Sequence, residues 1–229
     1  MNIFTFLAEC HYLVGVMILS AMAALVIGII YYNYNRNLRI FTYYIAFSLA
    51  QDIAGYYASA PFGPARNFQL VVFHVTTIAF MLFEFTVCNL YILGYVGSRP
   101  GRRFIRVSGL LFLGFLIFSA TRNLSHFNES DYAVPECVLL TISSLIFFYE
   151  LFLTMNLRPL KDQPAFWAVT GILFVNACDI PLLLTIRFMR SYYDEVFSLN
   201  YILYTILFVL LIRAFLCPPE KDGRTIYLT

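Results

Sequence analysis

The chain has 229 residues, 61% of them hydrophobic and 12% charged, with a mean hydropathy of +0.76, whereas a soluble domain carries roughly 45–50% apolar and about 25% charged residues. That composition excludes an ordinary soluble enzyme and implies an all-α integral membrane protein. A formal charge of only +2, with the basic residues scattered through short links, excludes a nucleic-acid partner.

Seven apolar runs approach or exceed the roughly 20 residues needed to cross a hydrocarbon core: Tyr12–Tyr32, Ile40–Ala58, Gln69–Tyr95, Phe104–Ala120, Pro135–Asn156, Phe166–Ile186 and Phe197–Phe215. No basic region precedes the first run and no small-residue cleavage site follows it, so it is expected to remain as an uncleaved anchor. The links hold eight of the nine prolines, Pro61, Pro64, Pro100, Pro135, Pro159, Pro164, Pro218 and Pro219. Pro181 alone falls inside a span, where it is expected to act as a hinge just after Asp179. The five cysteines, Cys10, Cys88, Cys137, Cys178 and Cys217, lie in or beside apolar runs without a CxxC pair, and read as packing residues.

Eleven basic residues, Arg36, Arg39, Arg99, Arg102, Arg103, Arg106, Arg158, Lys161, Arg213, Lys221 and Arg224, fall on one side of this plan, and only Arg66, Arg122, Arg187 and Arg190 on the other. The bias predicts an outer N-terminus and a short cytoplasmic tail over 217–229. The plan is a single seven-helix domain spanning 1–229, in a bacterial inner membrane. Asn123 and Asn128 begin glycosylation sequons on the outer side, which matter only in a secretory pathway.

An ordered similarity recurs at an offset of about 127 residues. Glu9-Cys10 matches Glu136-Cys137, Asp52-Ile53 matches Asp179-Ile180, and Thr77 to Phe80 matches Thr205 to Phe208. The expectation is a three-one-three parallel repeat, 9–95 and 135–216, joined by a linker helix over 104–120 that is apolar all round.

Charge inside a bilayer costs about 2.5–3.5 kcal/mol per residue on insertion scales, so Asp52, His74, Glu84, Glu150 and Asp179 each need an explanation. On the third span, Thr77, Glu84, Cys88, Tyr91 and Tyr95 share one face at 100° per residue. On the second, Tyr44, Ser48, Asp52 and Gly55 do so, and on the fifth, Glu136, Ser143 and Glu150. Depth counting places Asp52, His74 and Asp179, with Asn176, in an outer layer and pairs Glu84 with Glu150 below it. With no Lys or Arg in the spans, these acids must be protonated, paired with His74, or bound to a cation or amine. They are the candidate ligand- or ion-binding residues, against the plainer reading that they only fix helix packing. Tyr31, Tyr32, Tyr34, Tyr43, Tyr44, Tyr56, Tyr57, Tyr192 and Tyr193 read as interfacial belt residues.

No catalytic set and no metal-ligand set is present. A retinal Schiff base is excluded because the two lysines, Lys161 and Lys221, lie outside the spans, so no cofactor is expected; nucleophile-elbow, P-loop and HExxH motifs are also missing. The expected function is that of a receptor or sensor binding a small-molecule, lipid or cation ligand in an outward-facing polar cavity and signalling to a separate cytoplasmic partner such as a sensor kinase. The alternative is a proton- or cation-coupled small-solute transporter or channel.

The stretches Phe73 to Phe85, Glu136 to Tyr149 and Pro164 to Phe174 resemble a family of small seven-helix membrane proteins of Bacteroidetes-type bacteria. That resemblance implies that Glu84, Glu136 and Trp167 belong to a shared pattern, and that genes for sensor kinases lie nearby. The architecture is also similar to SWEET-type transporters and to heptahelical receptors, an analogy of topology alone.

Overall fold

The computed structural model describes residues 3–59, 66–122, 129–153, 159–188 and 193–218. Among them are seven α-helices and no strand: α1 (Ile3–Ile30), α2 (Arg39–Ser59), α3 (Arg66–Tyr95), α4 (Arg99–Arg122), α5 (Glu129–Leu153), α6 (Pro164–Phe188) and α7 (Tyr193–Phe215). The sequons at Asn123 and Asn128 and the tail beyond Pro218 lie outside the described residues.

Five helices are long and apolar enough to cross a membrane, over Tyr12–Ile30, Val75–Tyr95, Tyr132–Leu153, Pro164–Thr185 and Ser198–Phe215. The expectation of seven is thus met by helix count and, on composition, for five. α2 is diluted by Thr42, Tyr43, Tyr44, Ser48, Gln51 and Asp52, and α4 begins with Arg99, Arg102, Arg103 and Arg106.

Helix ends follow local chemistry. Pro164 opens α6, where its missing N–H costs nothing. α7 begins four residues before the apolar run because Asp194 and Glu195 suit a helix N-terminus. Pro135 was expected at a boundary, yet α5 starts six residues earlier, at Glu129, and carries the proline inside it. Its fixed φ is helical, and the acid-rich start Glu129-Ser130-Asp131 favours helix there. Pro100 likewise belongs to the first turn of α4 rather than to the link. α6 runs continuously through Pro181, and Thr185 turns its hydroxyl back to the Pro181 carbonyl at 2.8 Å.

Each of α1, α2, α3, α5, α6 and α7 packs on the next, α7 closes the ring on α1, and α4 packs outside against α3 and α5. The core is built by close approach as much as by bulk. On α1, Ala21, Ala24 and Gly28 form one small-residue face. A methyl group at Gly28 would sit 2.8 Å from Thr42 Oγ1 and 3.1 Å from the buried Phe215 ring. Gly28→Ala is therefore expected to cost about 1–3 kcal/mol through overpacking, read as a lower denaturation midpoint in detergent. Gly114→Ala on α4, where nothing lies within 4 Å, is expected to be neutral or to gain up to about 1 kcal/mol.

Candidate functional site

α3 and α5 run parallel, and their cross-links fix the register. The Ser143 hydroxyl meets Asn89 Oδ1 at 3.3 Å, and Gly97 N–H donates to Glu150 at 2.6 Å. These pairs are 54 and 53 residues apart. The same offset sets Glu136 level with Glu84, and the two carboxyls lie within electrostatic range of each other and of Asp179. All three are buried.

Hydroxyl groups from two further helices complete this layer. Tyr44 of α2 donates to Glu84 Oε1 at 2.9 Å, and the Tyr204 phenol of α7 lies within electrostatic range of the same carboxyl. Cys88 and Cys137 lie alongside. Asn176, one turn before Asp179, donates to the Ile172 carbonyl of its own helix at 2.8 Å. One Glu136 oxygen is buried without a hydrogen-bond partner among the described residues. Every Lys and Arg in the described residues lies in a link or near a helix end, so among the described residues the layer holds acids and phenols without a Lys or Arg. Five helices, α2, α3, α5, α6 and α7, meet there.

The expected layers are redrawn by this register. Asp179 joins Glu84 in the deep group, not an outer one with Asp52. Glu150 does not pair with Glu84: α3 puts roughly 16 Å of helix between Glu84 and Tyr95, and Glu150 lies beyond that, capping α4. Its oxygens accept from Gly97 N–H, from Ser98 N–H at 3.2 Å and from the Ser98 hydroxyl. Ser98 Oγ in turn accepts the Gly101 N–H at 3.1 Å, an N-cap bond. Depth counted on separate helices cannot reveal which residues face each other; the parallel offset does.

Asp52 is half-buried beside the link from Gln51 Nε2 to Thr77 Oγ1 at 3.2 Å. His74 stands one turn from Thr77 on the α3 backbone, at that level, but its side chain lies outside the described residues. Tyr44, read from sequence as a belt residue, is almost fully buried at 1% exposure and serves the acid layer. Its place on the Ser48–Asp52 face was the available signal. Glu136 and Tyr204 were not among the candidate site residues. Glu136 was legible through its heptad spacing to Ser143 and Glu150, whereas nothing in the apolar run around Tyr204 marked it.

Below the layer, toward Glu150, aromatic side chains fill the interior. Phe41 packs on Tyr91 at 4.7 Å, Tyr91 on Tyr95 at 5.0 Å, and Tyr95 on Phe147 at 6.2 Å between ring centres. At this end Asn37 Nδ2 also reaches the Tyr95 hydroxyl at 3.1 Å. Arg213 stacks on Trp167 and reaches the Lys161 carbonyl, which Trp167 Nε1 also contacts at 2.9 Å.

Among the described residues, no group of three His, Cys, Asp or Glu side chains is arranged to hold a metal ion. Comparison with known proteins gives no family model, no curated protein and no solved structure that matches the chain.

Proposed function

We propose that the chain is a seven-helix membrane receptor in which protons or a small cationic ligand occupy the Glu84–Glu136–Asp179 layer, and that the change is passed to a separate partner at the basic end. The observation that carries this reading is the convergence of three buried acids from three helices, with no Lys or Arg among the described residues beside them. Three carboxylates cannot share an apolar interior without protons or a cation. Occupancy therefore bears on the packing of five helices at once, as a switch requires. The aromatic packing of Phe41, Tyr91, Tyr95 and Phe147 favours sensing over a permanently open pore. Arg36, Arg39, Arg99 to Arg106, Lys161 and Arg213 gather at the end bearing Tyr95 and Glu150, which supports a cytoplasmic assignment for that end.

The second reading is a proton- or cation-coupled transporter built from two three-helix copies. It is favoured by the six-helix ring with α4 outside, and by α2 and α3 beginning about 127 residues before α6 and α7. In that reading Asp52 and Asp179 are equivalent positions.

Reconstitution separates the two. Purified protein in proteoliposomes is expected to show no proton, sodium or alkylammonium flux above empty vesicles. Its denaturation midpoint in detergent is expected to shift with pH or with an added cation, a shift that Asp179→Asn reduces at least severalfold. Flux that Asp179→Asn abolishes would establish the transporter instead, and a midpoint indifferent to pH and cations would remove both.

A further inference from the structure

The outer face of α4 carries a second, independent feature. At 100° per residue, Arg99, Arg102, Arg103 and Arg106 fall within an arc of about 100°. Leu110, Leu113 and Ile117 continue the same arc down the helix, and all seven side chains are exposed. The packed stripe Gly101, Ile105, Ser108, Phe112 and Leu116 lies on the other side. The arginines thus stand directly above an unpartnered apolar strip, not above a protein interior.

Among the described residues, none of the four forms an ion pair. The acid that reaches the start of α4, Glu150 of α5, is buried and accepts from Gly97 and Ser98. Arg102 is held in place by its Nε, which donates to the Val96 carbonyl at 2.6 Å, leaving its other N–H groups unused. All four cations are arginine, whose planar fork matches phosphate oxygens in pairs. From Arg106 to Ile117 the helix rises about 16 Å, close to half of an apolar core of roughly 30 Å.

We infer that this face of α4 is a binding surface for an anionic phospholipid, its headgroup phosphate held by Arg99, Arg102, Arg103 and Arg106 and an acyl chain lying along Leu110, Leu113 and Ile117. Charge complementarity selects the headgroup, and the matched length of the apolar strip selects a lipid over a soluble anion.

The test uses the full chain in detergent, with lipid retention read by native mass spectrometry against phosphatidylglycerol, cardiolipin and phosphatidylcholine. The wild type is expected to retain the two anionic lipids in preference to phosphatidylcholine. Each arginine removed should weaken that preference by about fivefold, so the triple change Arg99→Gln, Arg103→Gln, Arg106→Gln should lower it on the order of a hundredfold. Arg103→Gln alone provides a fivefold reading should the triple variant fail to fold. Arg36→Gln with Lys161→Gln removes two charges from the same end and is expected to leave the preference intact. Equal retention of phosphatidylglycerol and phosphatidylcholine by the wild type would overturn the proposal. So would an undiminished preference in the arginine variants, an equal loss in the Arg36 and Lys161 control, or full displacement of phosphatidylglycerol by millimolar inorganic phosphate.

Discussion

Glu150→Ala is expected to lower the stability of the bundle by about 3–5 kcal/mol, the largest effect of any single truncation at this end. The carboxylate accepts from two backbone N–H groups and one hydroxyl, and a hydrogen bond to a charged group contributes about 1.5–3 kcal/mol. Its removal leaves these part-buried donors at the start of α4 without their acceptor. The same carboxylate ties α5 to the α3–α4 link, so the loss falls on three helices. Glu150→Gln should cost less, about 1–2 kcal/mol, because a flipped amide still offers one oxygen to the Gly97 and Ser98 N–H groups. Ser98→Ala should cost about 1–2 kcal/mol as a lost N-cap. In the double variant the two losses should not add, since both act on one cap. Denaturation midpoints in detergent decide the matter: a Glu150→Ala protein as stable as the wild type would mean that the cap contributes nothing.

Most of the helix plan was legible because apolar run length and breakers are local properties. The runs proposed from sequence overlap α1 to α7, and the differences are largest at helix starts: α1 begins at Ile3 rather than Tyr12 and α4 at Arg99 rather than Phe104, while at α5 and α7 acidic residues extend the helix before its apolar part begins, as at Glu129 and Asp194. The site was less legible, because it depends on register between helices. Glu84 and Asp179 were identified as costly residues, but their companion is Glu136 rather than Glu150, and only the parallel offset of α3 and α5 decides that. Glu136 stands next to a proline near the start of an apolar run, which sequence reading takes for a boundary. Once α5 is extended to Glu129, the same residue is two turns inside the helix and level with Glu84. Tyr44 and Tyr204 could not be separated from other tyrosines by spacing alone, since an interfacial tyrosine and a buried one that donates to an acid have the same local sequence. What distinguishes Tyr44 is the carboxyl at the far end of its hydrogen bond, 40 residues away in the chain.

Within the acid layer, Glu136→Met and Glu84→Met are expected to move stability in opposite directions. One Glu136 oxygen is buried with no hydrogen-bond partner among the described residues, and the carboxyl faces two other acids. An apolar side chain of similar volume removes both penalties, so Glu136→Met should raise stability by about 1–2 kcal/mol. Glu84 is the acceptor for Tyr44. Glu84→Met strands the buried Tyr44 hydroxyl and should cost about 1–3 kcal/mol, whereas Glu84→Gln keeps an acceptor oxygen and should cost less than about 1 kcal/mol. In the proposed receptor, Glu136→Met should also abolish the midpoint shift produced by pH or cations. A variant that is more stable yet unresponsive is what an acid kept for function predicts, because natural sites retain groups that cost stability where activity needs them. Should Glu136→Met destabilise the protein as much as Glu84→Met, the Glu136 carboxyl is a structural member of the hydrogen-bonded layer. Its interior position would then be accounted for by packing alone.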